Sequence, residues 1–550
     1  MKLHRMLQAV FAACVISAAP GQAAAQAASP AKATPAPAWT RGATCYEVFL
    51  RSFKDSNGDG IGDLNGLIRK LDYINDGNPA SKTDLGASCI WLMPVAESPS
   101  YHGYDVTNYY RVNPDYGTNA DFRRLVAAAH RRGIKVIVDM VLNHTSNRDP
   151  HFQAALHDTA SPYRSWYRFA PKPLNAKGPW GEVVWHKSPV RDEYYYGVFS
   201  REMPDLNYDT PAVRQEANKI ARYWLDSMGV DGFRLDAVQY LVEDGNCLKD
   251  CAGTHAELRG YAAYIHTVNP QGYTIGEVWD PLDTLLTYYP DQLTSYFTFD
   301  LADSLRTAVN RGSPGGLFAE YLQLQAALPS YRWSPLLSNH DGTRIMTTLG
   351  GNVAAAKQAA TLLLTLPGLP YIYYGEEIGM TGDKPDPRLR TPMQWAPRAG
   401  VGFTTGKSWE SAQPDSMTTN VADETADPGS LLNRYRQLIH LRKTNAALAS
   451  GKLAPLTANN PHVAAYLRRA GTAAVLVVAN LDTVAASGVT INSGASELPA
   501  GRYAARNLLG GVDGAVLHVG TNGMIAGYVP SATIGAHESL VLNLERTGEQ

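Results

Sequence analysis

Three carboxylic acids stand at the ends of predicted buried strands, where apolar side chains would be expected. Asp236 ends the segment DGFRLD, Glu277 follows YTIG, and Asp341 comes directly after WSPLLSNH. If these strands run parallel in one sheet, their carboxyl ends open on one face and the three acids converge there. Cleavage of a glycosidic bond with retention needs two carboxyl groups about 5 Å apart, one attacking the sugar and one protonating the leaving oxygen. The pattern therefore predicts glycoside chemistry.

The neighbours of two of these acids suggest different protonation states. Arg234 lies two residues before Asp236 and so faces the same side of the strand. We expect its positive charge to keep Asp236 ionised, as a nucleophile requires. Glu277 precedes the apolar pair Val278 and Trp279, a setting expected to raise its pKa toward that of a general acid.

Strand and helix signals alternate along the chain. One unit has Thr118 as a helix cap with Asp121 three residues later, and it stops at Gly133 before a buried strand. A second unit opens with Thr210 and Pro211. Eight strands separated by helical stretches predict an α/β fold, the (β/α)8 TIM barrel. The predicted strands are 46–53, 89–95, 134–141, 231–236, 273–279, 295–300, 333–339 and 369–375.

Two segments interrupt or follow this alternation. A long stretch after the third strand is rich in Tyr, Trp, Pro and Gly, which predicts a subdomain inserted at the rim of the barrel. After about residue 450, short alternating runs and Gly-rich turns predict a β-sandwich. The expected organisation is a signal peptide at 1–25, a linker at 26–39, the barrel at 40–144 and 208–448, the inserted subdomain at 145–207 and the C-terminal β-sandwich at 449–550.

The amino-terminal segment has the layout of a secretory signal peptide. Lys2 and Arg5 precede an apolar run that ends near Ala19, and small residues follow. We therefore expect export to the periplasm or the medium, with lipidation of Cys14 as an alternative. No other stretch of ~20 apolar residues predicts a membrane span.

The overall charge argues against several classes of partner. The 550 residues include 49 Lys and Arg against 51 Asp and Glu, a formal net charge of −2. This balance offers no basic footprint for nucleic acid and no polybasic arm for a membrane surface. A neutral partner fits better, and 30 Tyr and 10 Trp supply flat apolar faces with polar edges that suit a sugar ring.

Four of the five cysteines follow the predicted signal peptide. Cys247 and Cys251 share a polar loop, which in an oxidising compartment predicts a local disulfide rather than a metal site. Cys45 and Cys89 lie in or beside apolar strands. Buried thiols are the favoured interpretation for this second pair, and a bridge between them stays open.

Six ordered segments make the chain resemble the α-amylase family of glycoside hydrolases, across about 40–545. Each stands at the end of a predicted strand or closes the inserted region, and together they are far more specific than any one alone. The segments are YHGYDV (101–106), DMVLNH (139–144), MPDLN (203–207), GFRLDAV (232–238), GEVW (276–279) and LSNHD (337–341).

The resemblance implies a role for each matching position. Asp236 matches the catalytic nucleophile, Glu277 the acid/base and Asp341 the third carboxylate, which grips ring hydroxyls. Tyr104 matches the aromatic on which the sugar stacks. The other implied substrate contacts are His102, His144, Arg234 and His340. The reaction that this family carries out is hydrolysis of α-glucosidic bonds with retention.

The segment DSNGDGIGD places oxygen atoms at alternate positions of a tight loop, which suits a hard cation such as calcium. The expected ligands are Asp55, Asn57, Asp59, the Ile61 carbonyl oxygen and Asp63. The same segment binds Ca2+ in oligo-1,6-glucosidase-like members of the family; an Asx-rich turn without metal is the alternative. A second family calcium site, which uses Asn143, is in doubt because Gln239 and Tyr240 replace a Lys-His pair common in calcium-dependent members.

The preferred substrate depends on one aromatic residue. MPDLN and RTPMQW (390–395) resemble the group intermediate between oligo-1,6-glucosidases and neopullulanases. Exo-acting α-glucosidases carry an Asp three residues before the stacking Tyr104, whereas this chain has Tyr101, as in endo-acting members. An aromatic residue there leaves the non-reducing side open to further glucose units, so Tyr101 is also a predicted substrate contact. We therefore expect an exported, monomeric α-amylase that cuts internal α-1,4 bonds of starch and maltooligosaccharides.

Two other functions remain open at this level. An α-glucosidase or transglycosylase acting on short maltooligosaccharides is the nearest, because water and sugar compete for the same covalent intermediate. A non-catalytic sugar-binding relative is disfavoured because all three carboxylates are present.

Overall fold

The computed structural model describes residues 36–174 and 177–548. The predicted signal peptide and most of the predicted linker lie outside these residues. The last linker residues lie within them, where Ala38–Thr40 form one turn of 3-10 helix. The ring of Trp39 packs edge-on against Tyr273 with centroids 5.2 Å apart, so this predicted linker residue packs on the barrel.

Eight parallel strands form the barrel, as predicted. Their order is β7-β6-β5-β4-β3-β2-β1-β8, and a bridge between Leu336 and Tyr371 joins the seventh strand region to the eighth. The strands are β1 Cys45–Val48, β2 Cys89–Leu92, β3 Lys135–Met140, β4 Gly232–Leu235, β5 Tyr273–Gly276, β6 Ser295–Phe297, β7 Trp333–Ser334 and β8 Tyr371–Tyr373. They are shorter than predicted, and residues after their carboxyl ends belong to the loops of the active face.

The two-residue period of the strands separates two cores. Tyr46 and Val48 of β1 pack outward in the large cluster beneath the helices, whereas Cys45 belongs to a separate cluster with Tyr273 and Ile275. The same alternation in β4 turns Arg234 away from its apolar neighbours Phe233 and Leu235. Apolar side chains therefore fill the lower part of the barrel interior, and ionisable side chains occupy its upper part.

Helices surround the sheet. The helix Asn119–Arg131 begins with the predicted capping box between Thr118 and Asp121, and it buries Phe122 and Leu125. The other α-helices of the barrel region are Leu50–Phe53, Leu64–Ile68, Leu71–Ile74, Pro211–Arg222, Ala252–Val268, Leu282–Leu286, Phe299–Arg311, Leu317–Ala327, Ile345–Thr348, Val353–Thr365, Asp386–Leu389, Val421–Ala426, Leu431–Thr444 and Ala446–Ser450. Short helical turns at Val238–Tyr240, Glu376–Ile378 and Ala399–Gly402, and a π-helical segment at Tyr223–Met228, complete the set.

The inserted region after β3 has its own small structure. It contains the helix Pro150–His157, a turn at Arg164–Trp166 and a three-stranded antiparallel sheet made of Phe169–Ala170, Trp185–Lys187 and Tyr194–Tyr196. Phe152 of the helix packs against Tyr195 of the sheet with ring centroids 5.1 Å apart. A two-stranded sheet, Ala96–Glu97 with Asn108–Val112, lies in the loop after β2.

The C-terminal region is an antiparallel β structure, as predicted. Its seven-stranded sheet has the order β12-β9-β10-β11-β15-β13-β14, and a two-stranded sheet, Ala486–Ser487 with Thr533–Ile534, packs into the same apolar cluster. The strands are β9 Lys452–Ala458, β10 Val463–Ala470, β11 Ala473–Asn480, β12 Ile491–Asn492, β13 Gly501–Asn507, β14 Gly514–Val519 and β15 Ser539–Gly548.

Strands β10 and β11 serve two cores at once. In β10, Val463 and Leu467 face the C-terminal cluster, whereas Tyr466 belongs to the large cluster of the barrel. In β11, Val475 belongs to the large cluster of the barrel and Leu476 to the C-terminal cluster. The C-terminal sheet is thus packed directly on the barrel.

Arg468 adds polar contacts to this packing. Its side chain is fully buried and donates hydrogen bonds to the carbonyl oxygens of Thr365, Leu448 and Gly451, the last at 2.8 Å. These acceptors belong to the barrel helices and to the segment that enters the sheet. One guanidinium group of the C-terminal sheet therefore satisfies carbonyl groups at the ends of barrel helices.

Both cysteine pairs lie at disulfide distance. Cys247 and Cys251 pair as predicted, with Cα atoms 5.9 Å apart. Cys45 and Cys89 are directly opposite each other in the parallel register of β1 and β2, with Cα atoms 4.6 Å apart, and are also paired. The structure therefore favours the bridge that the sequence left open over two separate thiols, because strand register brings the sulfur atoms together. Within the described ranges, no helix has the length and apolarity needed to cross a membrane.

Replacing Arg468 by leucine should lower the free energy of unfolding strongly. The substitution leaves buried carbonyl groups without their donor, and each such group costs about 1–3 kcal/mol. The exposed neighbour variant Arg469→Leu is the matched control, and thermal unfolding followed by circular dichroism measures both. Equal decreases in the free energy of unfolding of the two variants would contradict a stabilising role for the buried hydrogen bonds of Arg468.

Candidate active site

A cavity of about 550 Å³ opens at the carboxyl ends of the barrel strands. It gathers all three predicted catalytic acids and several aromatic side chains. Its lining residues are His102, Tyr104, His144, Trp180, Phe199, Met203, Asp236, Ala237, Gln239, Tyr240, Lys249, Glu277, Trp279, Asp341, Asp386 and Arg390. A smaller, more apolar cavity of about 250 Å³ lies against the inserted subdomain and contains none of the three acids.

Arg234 joins three carboxylates in the floor of the cavity. Its Nη1 donates to Asp139 Oδ1 at 2.9 Å and to Asp236 Oδ1 at 2.6 Å. Its Nη2 lies 2.7 Å from Glu277 Oε2. The guanidinium carbon also lies 5.2 Å from the centre of the Trp91 ring, which fixes the side chain further. Asp236 and Glu277 are therefore held side by side by one cation.

The pKa of Asp236 moves in the direction opposite to the prediction. Burial raises it most, and the charge of Arg234, which lowers it, is outweighed when the charges of Glu277 and Asp139 are added, so the pKa reaches about 8. The expectation that Arg234 keeps this carboxyl readily ionised is therefore wrong for the ligand-free site. Since three carboxyls share one guanidinium, the cluster titrates as a unit and holds a proton near neutral pH.

The surroundings of Glu277 are more polar than its sequence neighbours suggest. Trp279 follows it, but the indole Nε1 donates a hydrogen bond to Glu277 Oε1 at 2.7 Å. Glu277 Oε2 accepts from the backbone N–H of Ala237 at 3.2 Å as well as from Arg234. The predicted apolar setting is wrong, because Trp279 presents its polar edge to the carboxylate. Three donors therefore fix the position of the Glu277 carboxyl group in the free site.

Asp341 has different electrostatic surroundings. Its Oδ2 lies 2.9 Å from His340 Nε2, and its Oδ1 accepts from Arg390 Nη2 at 2.9 Å. Burial raises its pKa, but the positive charges of His340 and Arg390 outweigh burial and hold that pKa well below its ordinary value. His340 Nδ1 is also 2.6 Å from Glu47 Oε1. Burial of the imidazole lowers the pKa of His340, but the negative charges of Asp341 and Glu47 outweigh burial and raise this pKa to about 9.

Of the remaining predicted sugar contacts, His102, Tyr104 and His144 line the same cavity, whereas His340 is buried outside its lining. Tyr104 stacks on His340 with centroids 5.7 Å apart and donates from its hydroxyl to Asp139 Oδ2 at 2.9 Å. His102 Nδ1 accepts the backbone N–H of Tyr104 at 3.1 Å, which leaves Nε2 as the donor nitrogen of a neutral ring. His144 is buried, burial lowers its pKa to about 3, and its Nε2 has no hydrogen-bond partner among the described residues.

Tyr101 lies apart from the other predicted contacts. It is outside the set of residues that line the cavity. One face stacks on Trp409, with centroids 5.4 Å apart and an interplanar angle of 24°. The Arg390 guanidinium lies 5.8 Å from the centre of the ring. Tyr101 therefore belongs to the outer rim of the site.

Sequence analysis did not identify several residues of the site. Glu47 is fully buried in β1, and the one signal for it is a Glu within the apolar run YEVFL. Arg390 has no such signal, because it reaches Asp341 from a loop distant in sequence. Trp180, Phe199 and Tyr240 form an aromatic group, in which the Trp180 ring lies 5.1 Å from Tyr240 and 5.7 Å from Phe199. Inserted loops carry most of this group, which strand-end patterns do not reveal.

The predicted calcium loop adopts a chain of side-chain-capped turns. Asp55 Oδ1 accepts from the backbone N–H groups of Asn57 and Gly58 at 2.9 and 2.7 Å, and its Oδ2 accepts from Thr404 at 2.5 Å. Asp63 caps the helix Leu64–Ile68 by accepting from its backbone.

The outer part of this loop is exposed. Asp59 accepts the amide of Asn57 at 2.9 Å and the backbone N–H of Ile61 at 2.8 Å. The oxygen-only donor set suits a hard cation. Within the described ranges, no group of three His, Cys, Asp or Glu side chains is gathered around a metal position, so the calcium site stays a prediction.

A second group of buried oxygens lies near Asn143. Asn143 Oδ1, Asp205 Oδ2 and Glu243 Oε1 have no hydrogen-bond partner among the described residues. Burial, with the nearby Glu243, raises the pKa of Asp205 well above its ordinary value. Arg168 Nη2 lies 3.4 Å from Glu243 Oε2. The positive charge of this arginine therefore already pairs with one of the carboxylates in the group.

Comparison with known proteins agrees with this geometry. A family model described as the alpha amylase catalytic domain matches residues 47–451. Alpha-amylase 3 of Dictyoglomus thermophilum is 38% identical over 453 residues, 81% of this chain and 86% of that protein. Trehalose synthase/amylase TreS of Mycolicibacterium smegmatis is 35% identical over 513 residues, 80% of this chain and 84% of that protein. The crystal structure of an alpha-amylase from H. orenii matches with TM-score 0.79 and 39% identity, covering 91% of this chain and 99% of that one.

Replacing Asp236 by asparagine should change stability in a pH-dependent way. The ordinary Asp pKa is 3.8 and the folded value is about 8, so the folded wild type loses stability as pH rises between these values. Asn removes the buried charge, and the Tm of Asp236→Asn should exceed the wild-type Tm by more at pH ~9 than at pH ~5. Differential scanning calorimetry measures this, with the exposed variant Asp226→Asn as control. A Tm difference independent of pH would contradict the raised pKa.

Proposed function

Because the chain belongs to the alpha-amylase family of glycoside hydrolases, we propose that it is a retaining endo-acting α-amylase. Its substrates are the internal α-1,4-glucosidic bonds of starch and maltooligosaccharides. The observation that carries the proposal is the pair Asp236 and Glu277, which one guanidinium of Arg234 holds together at the floor of a 550 Å³ cavity.

In the proposed reaction, Asp236 attacks the anomeric carbon while Glu277 gives its proton to the departing glycosidic oxygen. This step forms a covalent bond between the sugar and Asp236 and releases the shortened chain. Glu277, now ionised, then takes a proton from water, which attacks the anomeric carbon and frees Asp236. The positive charge that develops on the sugar favours the arrangement in which Asp236 is ionised and the shared proton is on Glu277.

We assign substrate positioning to the second ionic group of the site. Asp341 is ionised between His340 and Arg390, so it accepts hydrogen bonds from ring hydroxyls without competing for the catalytic proton. Tyr104 supplies a ring face for stacking. His102 and His144 present ring nitrogens to the same cavity.

The aromatic group on one side of the cavity supports endo action. Trp180 is 59% exposed and Trp279 is 50% exposed, although apolar rings of this size are usually more buried. Trp279 is held flat on Phe299, with centroids 3.7 Å apart. Rings presented in this way offer stacking faces for glucose units beyond the one that is cleaved.

A second candidate is an α-glucosidase or transglycosylase that acts on short maltooligosaccharides. Arg390 pairs with Asp386 at 3.3 Å, and both residues line the cavity next to Asp341. Such a charged pair can hydrogen-bond the hydroxyls of a terminal glucose and so favour chain ends. Tyr101 also stacks on Trp409 instead of lining the cavity, which weakens the argument for an open path there.

The product pattern separates these two functions. We expect the mature protein to release mixed oligosaccharides from soluble starch early, with a rapid fall in iodine staining, because an endo cut shortens chains at once. Chromatography over time, on starch and on maltotetraose, measures this; the Asp236→Asn variant should be inactive on both. Glucose as the sole product from the outset would instead establish an α-glucosidase.

Export and subunit state are part of the proposal. The pattern of charged, apolar and small residues at 1–25 supports a cleaved signal peptide. We propose that the mature protein acts as a monomer in the periplasm or the medium. Starch and maltooligosaccharides are neutral, which agrees with the balanced charge of the chain.

We also propose that the loop 55–63 binds Ca2+ and that this stabilises the fold without entering the reaction. A ligand that binds only the folded state raises its stability. Wild-type protein should therefore show a higher Tm in CaCl2 than in EGTA, and Asp59→Ala should lose this difference. The exposed variant Asp72→Ala, outside the loop, should keep it. A wild-type Tm that does not respond to calcium would reject the site.

A further inference from the structure

A short loop closed by a disulfide, residues 244–251, stands at the mouth of the active-site cavity. It begins with a tight turn in which the backbones of Asp244 and Cys247 exchange hydrogen bonds of 3.0 and 2.8 Å. It ends where buried Cys251 precedes the helix Ala252–Val268. Because the Cys247–Cys251 bridge closes the second half of the loop, the three residues between the cysteines have little conformational freedom.

Asp250 fixes the loop from the opposite side. Its backbone has φ +56°, in the left-handed region that non-Gly residues seldom adopt. Its N–H donates to the Gln239 carbonyl oxygen at 2.9 Å, and its carboxylate accepts from Gln239 Nε2 at 3.1 Å and from the Tyr288 hydroxyl. Several contacts thus hold a conformation that is unfavourable by itself.

These constraints place Lys249 on the cavity wall. Its side chain is 30% exposed, and its Nζ forms an ion pair with Asp280, which also accepts from Gln239 Nε2. An ammonium group has three N–H donors, and the ion pair with Asp280 leaves donors for a ligand in the cavity. Gln239, three residues after Asp236, also lines the cavity, but its amide nitrogen already donates to Asp250 and Asp280 and cannot serve in this way.

The wall that carries Lys249 is the one beside Glu277. Asp280, the partner of Lys249, directly follows Trp279, and Trp279 Nε1 donates to Glu277. A general acid must reach the glycosidic oxygen that leaves. The departing sugar therefore lies on this side of the cavity.

We propose that Lys249 determines specificity for the leaving group, by donating hydrogen bonds from its ammonium group to hydroxyls of the sugar chain that departs. The Cys247–Cys251 disulfide is the positioning device that keeps Lys249 at the wall. This inference rests on the proposed glycoside hydrolase function and adds to it the recognition of a hydroxylated, uncharged leaving group.

Two substrates with different leaving groups test the proposal. Cleavage of maltotetraose releases a sugar as the leaving group. Cleavage of the aryl bond of 2-chloro-4-nitrophenyl α-maltotrioside releases a phenol, which has no sugar hydroxyls. The ratio of kcat/KM for maltotetraose to kcat/KM for the chromogenic substrate should fall about tenfold in Lys249→Met, the size of one hydrogen bond to a charged group. Lys249→Arg, which keeps a cationic donor, should restore most of the ratio.

Controls separate recognition from folding. Lys187→Met removes another ion-paired lysine, which does not line the cavity, and should leave the ratio unchanged. The double variant Cys247→Ser with Cys251→Ser should lower the ratio in the same direction as Lys249→Met. Equal losses of kcat/KM on both substrates in Lys249→Met, with the ratio unchanged, would overturn the proposal. A wild-type protein that cleaves neither substrate would instead reject the proposed function.

Discussion

The active site depends on one cation that serves three buried carboxylates. Arg234 is fully buried and contacts Asp139, Asp236 and Glu277 at once. One positive charge cannot neutralise three negative charges in a low-dielectric site, so the cluster retains a proton. A retaining glycosidase requires this state, in which one carboxyl is protonated and its neighbour is ionised. Beneath this cluster, apolar side chains such as Cys45, Tyr273 and Ile275 fill the barrel interior.

A second ionic group, built separately, keeps Asp341 out of the proton exchange. Glu47 from β1, His340 after β7 and Arg390 from a later loop surround it with two cations and one further carboxylate. Tyr104 links the two groups, because its hydroxyl contacts both Asp139 and His340. Neighbouring acids in one cavity thereby acquire opposite pKa shifts.

The barrel, its eight strands and the convergence of the three acids were predictable from sequence, because a two-residue period and polar strand ends are local signals. The pKa directions were not predictable in the same way. Asp236 lies beside Arg234 in sequence, but burial of Asp236, together with the charges of Glu277 and Asp139 from neighbouring strands, reverses the balance. Trp279 likewise counts as apolar in the sequence, and only the structure shows that its indole N–H donates to Glu277.

The surroundings of Tyr101 were not predictable either. Sequence analysis took Tyr101 as a contact that leaves the site open to further glucose units. Its ring stacks on Trp409, which lies more than three hundred residues away in the chain.

The two-sided strands β10 and β11 limit how this protein can vary in evolution. Their odd and even residues pack in different cores, one shared with the barrel and one within the C-terminal sheets. An insertion or deletion of a single residue in either strand would exchange the two faces and spoil both cores together. Substitutions of similar size are tolerable there, whereas changes of length must be confined to the turns. Homologous chains should therefore differ in length between these strands and never inside them.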